Sequence, residues 1–182
     1  MRRRARGDRG AAAVEFALIL PIFLTMVFGI ITAGFAFERW LSVTFAAREA
    51  SRFAATYPIP VDSSTNVQDL DAWFLAVRTA AVESAGLSVG NTSEYFVCVK
   101  LWNETGPGFI AGLSPSTSLP QSEQRTYGTL ATLATPSCTG STIPDNRVEV
   151  LVARRADIGW LLGDTNIQLT GKNTSRYEPR VE

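Results

Sequence analysis

No histidine occurs anywhere in the 182 residues, which removes the commonest general base and metal ligand and makes catalysis a poor expectation. Cysteine is nearly absent too: Cys98 and Cys138 stand alone. Two isolated thiols without histidine do not make a metal ligand set. No glycine-rich phosphate loop is present, and the many serines and threonines have no histidine to activate them. Charge is equally uninformative as a total, with 17 basic and 17 acidic residues. It is unevenly spread, however. With the first ten residues set aside, 12 basic residues face 16 acidic ones, a formal −4. That balance argues against nucleic acid as a partner, since phosphate binding needs clustered lysine and arginine. The expectation is therefore no enzyme, no cofactor and no metal.

What the chain does have lies at its start. Arg2, Arg3, Arg4, Arg6 and Arg9 precede a stretch from Phe16 to Phe37 that carries no charge. As a helix that stretch would be ~33 Å long at ~1.5 Å per residue, enough to cross a hydrocarbon core of ~30 Å. The arginines would hold their flank in the cytoplasm and send the C-terminal part outward. An ordinary secretory signal peptide fits less well, because its apolar region is only ~7–15 residues long. Glu15 also intrudes one turn into the wider apolar segment that begins at Ala11. A carboxylate there costs at least ~2.5 kcal/mol to insert, so it calls for a partner or a role.

The helical pattern continues beyond the apolar run. Trp40, Val43, Ala47, Ala50, Ala54 and Tyr57 fall at steps of three or four on one face. Tyr57-Pro58-Ile59-Pro60 then stops the helix, because proline removes a backbone donor and restricts its predecessor. Pro21 interrupts the apolar half, either as a tolerated kink or as a flexible joint. A second helix is predicted from a Thr65/Gln68 capping box to Gly86, with Leu70, Trp73, Phe74, Val77, Ala81 and Ala85 as its apolar stripe. Past Gly90 the period becomes two. Tyr95 to Trp102 and Val148 to Ala153 read as strands, and Ile167, Leu169 and Asn173 to Tyr177 suggest a third. The Gly-, Pro-, Ser- and Thr-rich span 103–146 reads as a long connection, of the kind that is usually functional or mobile. The predicted fold class is α+β: a long N-terminal transmembrane helix, a second helix and a short antiparallel sheet. Its parts would be a leader, 1–10, the long helix, 11–57, with about 14–37 in the membrane, and an extracytoplasmic domain, 58–182.

Cys98 and Cys138 both fall on the exported side, where oxidation is permitted. A bridge between them would stabilise the domain by roughly 4 kcal/mol in the chain-entropy view. Two unpaired buried thiols are the other reading.

The segment Arg9-Gly10-Ala11-Ala12-Ala13-Val14-Glu15-Phe16-Ala17, followed by Leu20-Pro21 and Phe28-Gly29, resembles the start of the TadE-like family. These are small pseudopilins of Tad/Flp (tight adherence) pilus systems, with leaders of the type IV pilin kind. Arg176-Tyr177-Glu178 is similar to that family's closing strand, whereas roughly 58–165 is not diagnostic. The resemblance implies cleavage by a prepilin peptidase between Gly10 and Ala11, which makes Glu15 the fifth residue of the mature chain. It implies roles in processing and assembly for Glu15 and Phe16. Its implied partners are the peptidase, other pilins or pseudopilins, the Tad membrane assembly platform and membrane lipid. The location it implies is the bacterial cell membrane, single-pass, with the pilus as a further site. Cleavage would create an α-amino group on Ala11, positively charged near neutral pH, that Glu15 could pair with in its own or a neighbouring subunit. Alternatively Glu15 stays solvated and serves peptidase recognition alone. The function implied is a minor pseudopilin acting in pilus assembly and surface adherence. The competing expectation is a permanently membrane-anchored binding or adhesion module that keeps its arginines.

Overall fold

The computed structural model describes residues 7–62, 64, 67–102, 122–130, 136, 147–160 and 163–178. A single helix, α1 (Gly7–Thr56), dominates the first third of the chain. Pro21 lies inside it without ending it. Thr25 and Thr32 donate their hydroxyls to the Ile22 and Phe28 carbonyls, at 2.8 Å each, so the helix itself satisfies these polar groups of the apolar run. The helix stops where the two prolines demand it. Its last turn is closed by Tyr57 N–H donating to Phe53 O, and the rings of these two residues stack at 4.8 Å.

Two short strands, β1 (Val61–Asp62) and β2 (Val67–Gln68), pair antiparallel and lead to α2 (Leu70–Ser84). Thr65 lies outside the described residues, and the expected capping box does not start this helix. Asp69 does, its carboxylate accepting from Ala72 N–H at 2.8 Å. Gln68 is spent in the β1–β2 pair instead. At the other end Gly86, with φ +68°, lets Leu87 N–H reach Val82 O and its own N–H reach Glu83 O. This is the left-handed turn that glycine accommodates without a Cβ penalty.

Four antiparallel strands follow: β3 (Tyr95–Trp102), β4 (Ser122–Tyr127), β5 (Arg147–Trp160) and β6 (Gly163–Arg176), in the spatial order β4-β3-β5-β6. The sheet therefore has one strand more than the sequence pattern predicted. β4 lies within the span read as connection, and its polar sequence Ser-Glu-Gln-Arg-Thr-Tyr suits an edge strand. Alternation in β3 and β5 sorts side chains onto two faces. Tyr95, Val97, Val99 and Leu101, with Val148, Val150 and Val152, join the main core. Phe96, Cys98, Leu151 and Ala153 form a second cluster with Leu130 on the far face. On that face too, Glu149 is buried but paired with Lys172 at 2.9 Å.

α1 and α2 run antiparallel across the main face. Trp73 donates to Tyr57 O at 3.0 Å at one end, and Ser42 donates to Ala85 O at 3.0 Å at the other. Small residues of α1 (Ala46, Ala47, Ala50, Ala54) are buried there, so the helix backbone lies close to the sheet. The bulk comes from α2, where Trp73 and Phe74 are fully buried and Trp73 meets Tyr177 edge-on at 6.0 Å. Burying an aromatic of this size contributes about 1.5–3 kcal/mol.

Candidate functional site

The predicted site residues all belong to α1, apart from the two cysteines. From Gly10 to Ser42 no side chain is buried, and Val43 is the first that is. α1 is thus two things in one rod. Its N-terminal part is exposed apolar surface, including Phe16, Leu18, Ile22, Phe23 and Phe28. Its C-terminal part belongs to the core of the domain. α1 is also the one helix among the described residues long and apolar enough to cross a membrane, and none of its most apolar stretch is buried against the fold. Such exposure would be costly in water at ~25 cal/mol per Å2 of apolar surface, and it vanishes in lipid or against other helices.

Gly10 and Ala11 lie within the helix, exposed, with nothing within 4 Å of where a Gly10 side chain would be. Glu15 and Phe16 are exposed as well. The helical register places Glu15 one turn beyond Ala11, on the same side of the rod. A carboxylate there also sits near the positive end of any helix that starts at Ala11. Trp40, 42% exposed, pairs with Phe37 at 5.7 Å where the apolar run ends. Of the face expected to pack, Val43, Ala47, Ala50 and Ala54 are buried, Tyr57 is half-buried and Trp40 is not covered.

Two features that hold α1 to the domain were invisible in the sequence pattern. Gly171 of β6 faces the helix backbone so closely that a Cβ would lie 2.6 Å from Val43 O and 2.8 Å from Thr44 Cα. Fully buried Ser51 takes a hydrogen bond from the Asn173 amide, and Ser175 donates to it at 3.0 Å. Only the pairing of α1 with β6, 124 positions apart at Ser51–Ser175, gives these residues their meaning. Burial raises the Tyr177 phenol to about 12, with a hydrogen bond to the Ile59 backbone acting the other way. Burial likewise lowers the Arg154 guanidinium, and the charge of Arg39 adds to that effect while Glu94 opposes it.

Cys98 is 1% exposed in β3. Cys138 lies outside the described residues, so the expected bridge is not shown. Among the described residues no group of three or more histidine, cysteine, aspartate or glutamate side chains is arranged to hold a metal.

Residues 10–52 match the family model described as TadE-like protein. No curated protein and no solved structure matches the chain significantly. The matched segment covers the exposed rod and the first three turns of its docked part. Over that helix the chain is similar to TadE-like proteins, and the same helix is long and apolar enough to cross a membrane.

Proposed function

We propose that the chain is a minor pilin-like subunit, a pseudopilin, of a Tad/Flp pilus system, acting in pilus assembly and surface adherence. A prepilin peptidase cuts between Gly10 and Ala11. The arginine leader stays cytoplasmic, α1 spans the cell membrane once, and the α+β domain stands outside. The chain is then a peptidase substrate and an assembly component, not an enzyme. The observation that carries this reading is the division of α1 at Val43. Before that point its apolar surface lacks cover, and beyond it the same helix is fused into the domain core. A rod so built can move from lipid to a bundle of like helices while its domain travels rigidly with it. Glu15 takes part by pairing with the new Ala11 amine, in its own or an adjacent subunit, since an unpaired carboxylate in an apolar bundle is heavily penalised. We also propose that Cys98 and Cys138 are joined. The absence of free cysteines among the described residues supports the bridge.

N-terminal sequencing of protein from the membrane fraction tests the processing step. It should begin Ala-Ala-Ala-Val-Glu. An intact Met1, or a start at Phe37, would refute processing and leave a permanent anchor or an ordinary secreted domain.

A further inference from the structure

The pairing of β5 with β6 opens on two like charges. Arg147 stands directly opposite Arg176 in the antiparallel register. Residues opposed in this way hold their Cβ atoms only ~4.5–5.5 Å apart on one face of a sheet, and like charges so placed repel. The face is the far one, because Arg147 precedes Leu151 and Ala153 on β5 at steps of two. Arg176 has a partner, but a loose one. Glu178 lies 3.4 Å from its Nε, and the two side chains are 71% and 73% exposed, so water competes freely for both. For Arg147 no carboxylate among the described residues closes an ion pair. Its side chain is half-buried, and its Nε is shut off from solvent without any hydrogen-bond partner. A donor in that position has given up its water and gained nothing in exchange.

The surroundings do not supply the missing acceptor. Glu149, the next residue of β5 on this face, is buried and held by Lys172 at 2.9 Å. Lys100 stands opposite Glu149 on β3 and adds another positive charge. β4 brings Gln124 and Thr126 to the same face, and neither is charged. Four cations, Lys100, Arg147, Lys172 and Arg176, therefore meet two carboxylates, Glu149 and Glu178, at this end of the sheet. Four less two leaves a formal +2 among the described residues.

We propose that Arg147 and Arg176 form a clamp for a phosphate group, taken either as the free ion or as a monoester on an extracellular partner. The charge selects this class of ligand. A phosphate monoester carries about −1.5 to −2 near neutral pH and offers three strong acceptor oxygens. Those oxygens can meet a guanidinium fork on each side, in the charge-assisted geometry that arginine favours. A carboxylate brings a single negative charge, half of what this end of the face lacks. The bound phosphate would also separate the two arginines electrostatically and give the buried Arg147 Nε an acceptor. Position excludes lipid as the source. Glu178 N–H donates to Ala55 O, which places the clamp near the end of α1, ~27 Å of helix beyond Phe37 at ~1.5 Å per residue. On the reading of α1 as a membrane span, headgroups lie out of reach and the ligand comes from the outer phase. The clamp itself stands on the sheet register and does not need that reading.

The test uses the full chain in a neutral maltoside detergent at neutral pH and constant ionic strength. Arginine labelled with nitrogen-15 makes the Nε–H resonances visible, and those of Arg147 and Arg176 are assigned by their loss in Arg147→Gln and Arg176→Gln. Inorganic phosphate, glucose 6-phosphate and acetate are titrated in turn. The expected result is a saturable shift of both resonances with inorganic phosphate, and none with acetate. Arg176→Gln should weaken the response of Arg147 by roughly tenfold or more in Kd, the scale of one lost hydrogen bond to a charged group. Arg52→Gln, which alters an exposed arginine of α1, should leave it unchanged. Equal shifts with glucose 6-phosphate would identify a phosphate monoester as a ligand, and shifts with inorganic phosphate alone would identify the free ion. Because Arg176 is exposed, its variant keeps the test decisive if circular dichroism shows that Arg147→Gln does not fold. Static Arg147 and Arg176 resonances would overturn the proposal. So would equal shifts with acetate, or a Kd that Arg176→Gln leaves unaltered, since either would reduce the pair to diffuse surface charge. Processing at Gly10 is read separately by N-terminal sequencing, so failure of the clamp and failure of the pseudopilin reading are distinct results.

Discussion

Replacing Gly171 by alanine should loosen α1 from the sheet, and its cost follows from the geometry of one contact. The added Cβ would lie 2.6 Å from Val43 O and 2.8 Å from both the Val43 carbonyl carbon and Thr44 Cα, where ordinary contact begins at 3.4 Å. All three are main-chain atoms, so no rotamer change relieves the clash. Either α1 or β6 must move by most of an ångström. Movement of α1 disturbs the packed layer of Ala46, Ala47 and Ala50 and the hydrogen bonds around Ser51. Overpacking of this kind typically costs about 1–3 kcal/mol, a sizeable share of the ~5–15 kcal/mol that holds a domain together. For a domain of this size that corresponds to a Tm lowered by about 3–15 °C. Near-UV circular dichroism melts of detergent-solubilised protein would report it through the buried Trp73. Gly90→Ala is the control, since the nearest atom to its Cβ would be Ser88 Oγ at 3.9 Å. A Gly171→Ala Tm within ~1 °C of that control would refute the close approach of helix and sheet.

Alkaline destabilisation should be measurable at Tyr177. Its phenol is raised from 10.0 to about 12 in the folded protein, so its contribution is complete below about pH 10 and is lost as pH rises through about 12. Unfolding free energy from urea titrations should fall by about 2–3 kcal/mol over that window through this group, and Tyr177→Phe should remove that part of the fall. Cys98 and Cys138 should resist alkylation in non-reduced native protein and appear as one linked peptide pair by mass spectrometry, while free labelling of both would disprove the bridge. Glu15→Leu should leave processed protein in the membrane fraction, because burying leucine costs less than burying a carboxylate, yet pili should be few or absent. Normal piliation would show the carboxylate to be dispensable for assembly, and unprocessed protein would move its role to the peptidase.

Periodicity and punctuation alone were enough for much of this molecule. An uncharged apolar run too long for a soluble core helix, closed by Tyr57-Pro58-Ile59-Pro60, specified α1 to within a residue at its C-terminal end. The period-two pattern of Tyr95 to Leu101 and Val148 to Val152 specified two strands and the side chains each sends to the core. These are local signals, carried by the spacing of neighbours. Other features depended on contacts that no local pattern encodes. β4 is polar because it is an edge, and an edge strand looks like a loop until it has a partner. The Thr65/Gln68 cap lost to Asp69 because Val67 and Gln68 are engaged with β1, and a capping motif cannot be helical and paired at once. Gly171 and Ser51 were ordinary residues in the sequence, and only the approach of two backbones far apart in the chain makes one obligatory and the other a pin. The sequence by itself therefore determined where the long apolar helix runs and which residues of the strands face the core. The tertiary structure decided how that helix is locked to its domain, because the lock depends on the register of α1 against β6.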